Sequence, residues 1–208
     1  MITELEAVSK QNQEISSSQH SEVSSIDLIQ LQRNLYSIDS QVSWKAAFNL
    51  TNHTATSVLV LSDALRENTL HISVNAARAL GIMGEKATAA VESLIWALGQ
   101  DSPELRSGAA AALGRIATEH SLVVPALARA LSDKELPVRQ YAAAALGSYG
   151  EFCVLAKKQL KTAMKDEDEN VREFSQFALA MIEKNRRGKK GFSFGLNQIK
   201  DNIFRCVA

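Results

Sequence analysis

Cysteine and aromatic residues are scarce in this chain, and neither sign of charge prevails. Two cysteines, Cys153 and Cys206, are too few for a disulfide scaffold or a Cys-rich zinc module. With 23 basic and 23 acidic side chains, the chain lacks the Lys and Arg excess that binding by phosphate neutralisation needs, which argues against nucleic acid as a partner. Aromatics make up 6% of the residues while alanine is abundant, a balance that suits closely packed helices better than a β-sandwich. Long apolar runs are missing as well. No stretch approaches the roughly 20 residues of a membrane span, and the polar opening Met1-Ile-Thr-Glu-Leu-Glu-Ala does not resemble a secretory leader. The expectation is a helical, cytoplasmic protein whose 208 residues allow one or two domains with a sizeable core.

What the chain does have is a repeat. Ile72-Ser-Val-Asn-Ala-Ala-Arg-Ala-Leu80-Gly81 aligns with Leu105-Arg-Ser-Gly-Ala-Ala-Ala-Ala-Leu113-Gly114 and with Val138-Arg-Gln-Tyr-Ala-Ala-Ala-Ala-Leu146-Gly147, at a stride of 33 residues. A further step of 33 reaches Val171 and Leu179, and a backward step of 30 reaches Val42 and Leu50. The intervening stretches repeat too: Val58, Leu61 and Leu65 match Val91, Leu94 and Leu98, then Val124, Leu127 and Leu131. Leu160 and Met164 continue the series after Lys157 interrupts it. Each triple makes one apolar stripe on a helix. Seven positions separate the last member of every triple from the next opening apolar residue. The same rule applied upstream finds Leu28, Leu31 and Leu35 before Val42.

Each unit therefore reads as a helical hairpin. An A-type helix runs from the Val/Leu-Arg pair to Leu-Gly, where glycine is expected to supply a left-handed C-cap. A B-type helix carries the leucine triple and stops at a polar turn. One hairpin cannot bury both faces of its stripe, so hairpins must stack. The expected fold is all-α, a right-handed α-solenoid of about four to five hairpins over residues 25–184. A polar tail, 1–24, precedes it. A basic tail, 185–208, follows, in which Leu196, Ile199, Ile203 and Val207 have helical spacing suited to a capping helix or to a partner-binding or membrane-surface segment.

The Val-Arg-x-x-Ala-Ala-x-Ala-Leu-Gly motif, followed by Val124-Pro-Ala-Leu-Ala-Arg-Ala-Leu-Ser-Asp133, resembles the short HEAT-like repeat associated with phycobilisome lyases. The resemblance covers residues 42–182, and 26–41 in part. It implies a protein that grips an antenna polypeptide, as a bilin lyase subunit or as a chaperone for chromophore attachment, chromophore removal or phycobilisome turnover. It also implies a phycobiliprotein subunit as partner, a second HEAT-repeat subunit as hetero-dimer mate, and a transient linear tetrapyrrole in place of any intrinsic cofactor. The alternative is a non-enzymatic adaptor for another protein complex, since the repeat serves many unrelated adaptors.

The residues themselves suggest no catalytic set. Iron-binding members of this repeat class, such as deoxyhypusine hydroxylase, place His-Glu dipeptides at recurring positions. Here no His-Glu occurs, and His20, His53, His71 and His120 share no repeat position, so no metal site is expected. Cys153, among apolar neighbours, reads as a small core residue. Arg106, Arg139 and Arg172 share one position and are expected to form an exposed ladder of contacts that ties successive turns together, with Asp101, Asp133 and Asp166 as acceptors, of small energetic worth. Trp44, Phe48, Tyr141 and Phe174 read as packing between repeats. Partner contacts are expected on the B-type helices, taken as the concave side. There Asp63, Trp96, Arg129 and Thr162 form a column at stride 33, flanked by Glu92 and Lys158. Trp and Arg are favoured anchors because each buries a large area while keeping a polar handle.

Overall fold

The computed structural model describes residues 27–52 and 55–186. The polar and basic tails, with His20, Cys206 and the expected capping helix, lie outside the described residues. Helix α1 spans 27–35. It is followed by α2 Ser40–Leu50, α3 Ala55–Ala64, α4 Leu70–Met83, α5 Val91–Ala97, α6 Pro103–Ile116, α7 His120–Ala130, α8 Leu136–Tyr149, α9 Lys157–Ala163 and α10 Glu169–Arg186. Two 3₁₀ stretches, Gly84–Ala90 and Gly150–Ala156, lead into α5 and α9.

The stride read from the sequence maps directly onto this order. Helices α2, α4, α6, α8 and α10 are A-type, whereas α1, α3, α5, α7 and α9 are B-type. Two layers result, and side chains from both fill the space between them. Leu80, Leu113 and Leu146 are fully buried at equivalent places. The B-type leucines Leu61, Leu94, Leu127 and Leu160 face them, also fully buried. The stripe is weakest at Val42 and Met164, both 40% exposed, and Leu98 is partly buried.

Helix starts follow from local chemistry. The Asp39 carboxylate accepts hydrogen bonds from the amides of Gln41 and Val42 at 2.8 and 3.3 Å. Ser102 Oγ accepts from the Leu105 amide at 3.1 Å, with Pro103 in the first turn of α6. These caps satisfy amides that have no partner inside the helix.

Helix ends differ from the expectation. Gly81 and Gly114 do not cap A-type helices; they lie inside α4 and α6. A Cβ at Gly114 would stand 2.8 Å from Ala145 Cα, and one at Gly81 would stand 3.1 Å from Ala112 Cα. The glycines let α4, α6 and α8 approach backbone to backbone. Termination comes three residues later, again at stride 33, at Gly84 (φ 58°), Ala117 (φ 51°) and Gly150 (φ 53°). Ala117 adopts the left-handed conformation without glycine's freedom. Its turn is held from the next repeat by Tyr149, whose hydroxyl donates to Leu113 O at 2.9 Å and to Thr118 O at 3.1 Å.

The two layers are unequally tight. Consecutive A-type helices α4, α6, α8 and α10 pack extensively along their lengths, whereas α5, α7 and α9 touch one another sparsely. Small side chains explain the difference. Ala76, Ala77 and Ala79 on α4, Ala109, Ala110 and Ala112 on α6, and Ala142 to Ala145 on α8 are all buried.

The arginine ladder is also more deeply set than expected. Arg106 and Arg139 are buried, at 7% and 9% exposure. Each reaches forward to the aspartate of the next repeat's turn. Arg106 forms a bidentate pair with Asp133 at 2.7 and 2.8 Å, and its remaining nitrogen donates to the carbonyls of Gln100 and Asp101. Arg139 repeats the pattern with Asp166 and adds Glu167. Arg172 keeps only the backbone part, donating to Asp166 O and Glu167 O. Asp101 contributes its backbone carbonyl and not its carboxylate. In the first repeats Ser73 and Ser43 occupy the arginine's position, and Asn75 bridges the turns by donating to Ser43 Oγ at 3.2 Å and Ser40 O at 3.3 Å.

Candidate functional site

Close packing of small side chains leaves room on the outer surface of the A-type layer. A groove of about 420 Å³ opens there, lined by α2, α4, α6 and α8. Its floor is Ala77, Gly81, Gly108, Ala111 and Ala112, residues that place almost no volume above the backbone. Trp44 and Tyr141 stand among the lining residues, from α2 and α8, while Arg78 and Arg115 enter from α4 and α6. Arg78 stacks over the Trp44 ring, its guanidinium carbon 4.4 Å from the ring centroid. Stacking uses the face of the guanidinium and leaves its in-plane N–H donors directed outward.

The electrostatics are uneven. Burial lowers the Arg115 pKa from its ordinary value; Tyr141 opposes that shift, and the like charge of Arg78 adds to it. The lining contains one acidic residue, Glu104, whose carboxylate accepts from Ser102 Oγ at 2.8 Å. Among the described residues neither Arg78 nor Arg115 forms an ion pair. Two cations, two aromatic surfaces and a smooth floor therefore share one concavity.

The groove is not where the sequence placed the trough. Asp63, Glu92, Trp96, Arg129, Lys158 and Thr162 are all exposed on B-type helices, and none of them lines it. Trp96 keeps 36% of its surface exposed under the Arg66 guanidinium, which lies 4.8 Å from its ring centroid. The stride thus does bring these six to one outward face, but the concavity belongs to the opposite layer. The aromatics divide as well. Phe174 is buried packing, Phe48 is 48% exposed, and Trp44 and Tyr141 are groove residues. A usable signal was present in the sequence: the outward positions of the A-type helices swing from Trp44 to Val74 to Ser107, and from Ile82 to Arg115, while their inward positions stay alanine or leucine.

Among the described residues, Cys153, His71 and His120 are each engaged by neighbours. Cys153 is fully buried and donates from Sγ to Leu146 O at 2.8 Å; burial pushes its thiol up to about 12. His71 Nε2 lies 2.9 Å from Ser37 O, and His120 stacks on Phe152 with ring centroids 4.3 Å apart. Among the described residues no three His, Cys, Asp or Glu side chains converge as a metal site would require, and no helix is long and apolar enough to cross a membrane.

Residues 91–180 match the family model described as HEAT repeats. Solved structures with the same fold include the complex of CpcE and CpcF of phycocyanin lyase from Nostoc sp. PCC7120, at 20% identity over 85% of this chain and 73% of that one, with a TM-score of 0.62. An engineered protein matches at 20% identity over 87% and 96% of the two chains, with a TM-score of 0.61. Human deoxyhypusine hydroxylase matches at 29% identity over 61% of this chain and 43% of its own, with a TM-score of 0.50. No curated protein matches the sequence.

Proposed function

We propose that this HEAT-repeat solenoid is a protein-binding subunit that grips a phycobiliprotein in the A-layer groove, acting in the cytoplasm as a bilin lyase subunit or chaperone. One observation carries the protein-binding part: a preformed concavity in which, among the described residues, Arg78 and Arg115 form no ion pair and stand beside the half-buried rings of Trp44 and Tyr141. Preorganised aromatic and guanidinium anchors over a shallow floor are the usual makings of a binding hot spot. The assignment to bilin chemistry is supported by the repeat motif and by the fold shared with the CpcE–CpcF complex. That pairing also motivates a second HEAT-repeat subunit as hetero-dimer partner. A linear tetrapyrrole carries carboxylates on a conjugated body, chemistry to which the two arginines and two rings of the groove are complementary; the bilin would be a transient guest. The six B-face residues, led by Trp96 and Arg129, are assigned a secondary contact with the paired subunit.

One feature favours the adaptor reading of the chain's role. Covalent capture of a bilin needs an accessible thiolate, and Cys153 is sealed in the core with its thiol held protonated. Among the described residues Cys153 therefore offers no such thiolate, and in the adaptor reading these residues position the partner. Mixing the protein with apo-phycobiliprotein and bilin, with and without a second HEAT-repeat subunit, tests the reading. A stable complex and a changed rate of chromophore attachment or release are expected. No complex under either condition would contradict it.

A further inference from the structure

The partner chemistry of the groove can be specified further, resting on the reading of this groove as the recognition face. Arg115 is half-buried next to a second cation, and Arg78 has its face covered by Trp44 but its N–H edge available. Confined like charges without an acid are costly, and a bidentate carboxylate removes that cost while satisfying both forks. The only acidic side chain of the lining, Glu104, is engaged by Ser102. The floor of Ala77, Gly81, Gly108, Ala111 and Ala112 presents little side-chain polarity, so the residue next to the seated carboxylate is an apolar one. We infer that the groove recognises an acidic stretch of a protein partner, with one carboxylate seated between Arg78 and Arg115 and a neighbouring aromatic or aliphatic side chain against Trp44 or Tyr141.

A displayed library of random short peptides, selected on the intact chain and sequenced, tests this without knowledge of the partner. Enriched peptides are expected to carry Asp or Glu next to an apolar residue. Their affinity should drop about tenfold with Arg115→Met or Arg78→Met, which is about 1.4 kcal/mol. It should also weaken as salt is raised. Replacing the peptide's carboxylate by its amide should cost a similar factor, whereas Lys161→Met, which removes an exposed cation on α9, should leave affinity unchanged. Enrichment without acidic residues, no enrichment at all, equal binding of acid and amide forms, or displacement by a single-stranded oligonucleotide at lower concentration than by peptide would overturn the inference. Acidic peptides that bind while phycobiliprotein does not would refute the phycobilisome assignment and leave the inference standing.

Discussion

The A-type and B-type layers come from the same repeat yet behave as different materials. A-type helices have alanine and glycine where they meet, so backbones approach closely and the layer is rigid. B-type helices meet each other sparsely, and leucines anchor them from below to the A-type layer. Large side chains on the A-type surface then stand around a depression and form a groove. On the B-type surface they stand on ridges, as Trp96 and Arg129 do. A helix that lacks side-chain volume at its contacts is the one that makes a concavity.

The comparison can be broken first at the arginine ladder on the A-type side. Arg106→Met strands the Asp133 carboxylate in a nearly buried place and should cost about 3–5 kcal/mol in chemical denaturation. Arg66→Ala, which removes the cation over Trp96 on the exposed B face, should cost about 1 kcal/mol or less. Equal costs would mean that the layers are not mechanically distinct. Adding Asp133→Leu to Arg106→Met should recover most of the loss, because no unpaired charge remains.

Glycines sharpen the contrast within one helix. Gly114→Ala forces a methyl group against Ala145 and should destabilise by about 1–3 kcal/mol. Gly108→Ala meets only Ala77 Cβ at 3.7 Å, an ordinary contact, and should stabilise by about 0.5–1 kcal/mol through helix propensity. The second change also raises the groove floor, so gained stability should accompany weaker partner binding.

How much of this could be read in advance depends on what a stride encodes. Leu80, Leu113 and Leu146 were legible as interior positions because a fixed period repeats one environment. The pairing of layers was legible for the same reason. The side on which the concavity opens was not, since that depends on which helices come closest, and Gly81 and Gly114 were read as caps where the structure makes them contact points. The arginine ladder between turns was legible from the shared position of Arg106 and Arg139, but its burial was not, since a sequence does not show how deeply neighbouring turns cover a guanidinium. Trp44 and Tyr141 looked like packing, since neither shows in sequence that its neighbours leave it half uncovered.

Acid should expose the same ladder. Burial pushes the Asp133 carboxyl up, but hydrogen bonds from Arg106 and from the Glu135 amide outweigh it and hold the pKa below the ordinary value. For Asp168, burial is likewise outweighed by Gln140 and the Val171 amide. A depressed native pKa contributes stability that is present above the unfolded value, about 3.9, and is lost as pH falls through the native one. Stability should therefore fall steeply below about pH 4, with a shallower limb in Arg106→Met. The smallest effect belongs to Ala117→Gly, which relieves a left-handed alanine and should stabilise by about 1 kcal/mol or less.

The most direct measurement removes the same charge from the two faces. Arg115→Met and Arg129→Met are titrated with the acidic peptides that the intact chain selects, alongside thermal unfolding to confirm that both variants fold. Recognition through the A-type groove requires about a tenfold loss for Arg115→Met and no change for Arg129→Met. The reverse pattern, with binding lost at Arg129 and kept at Arg115, would place the recognition face on the B-type ridge and contradict the account.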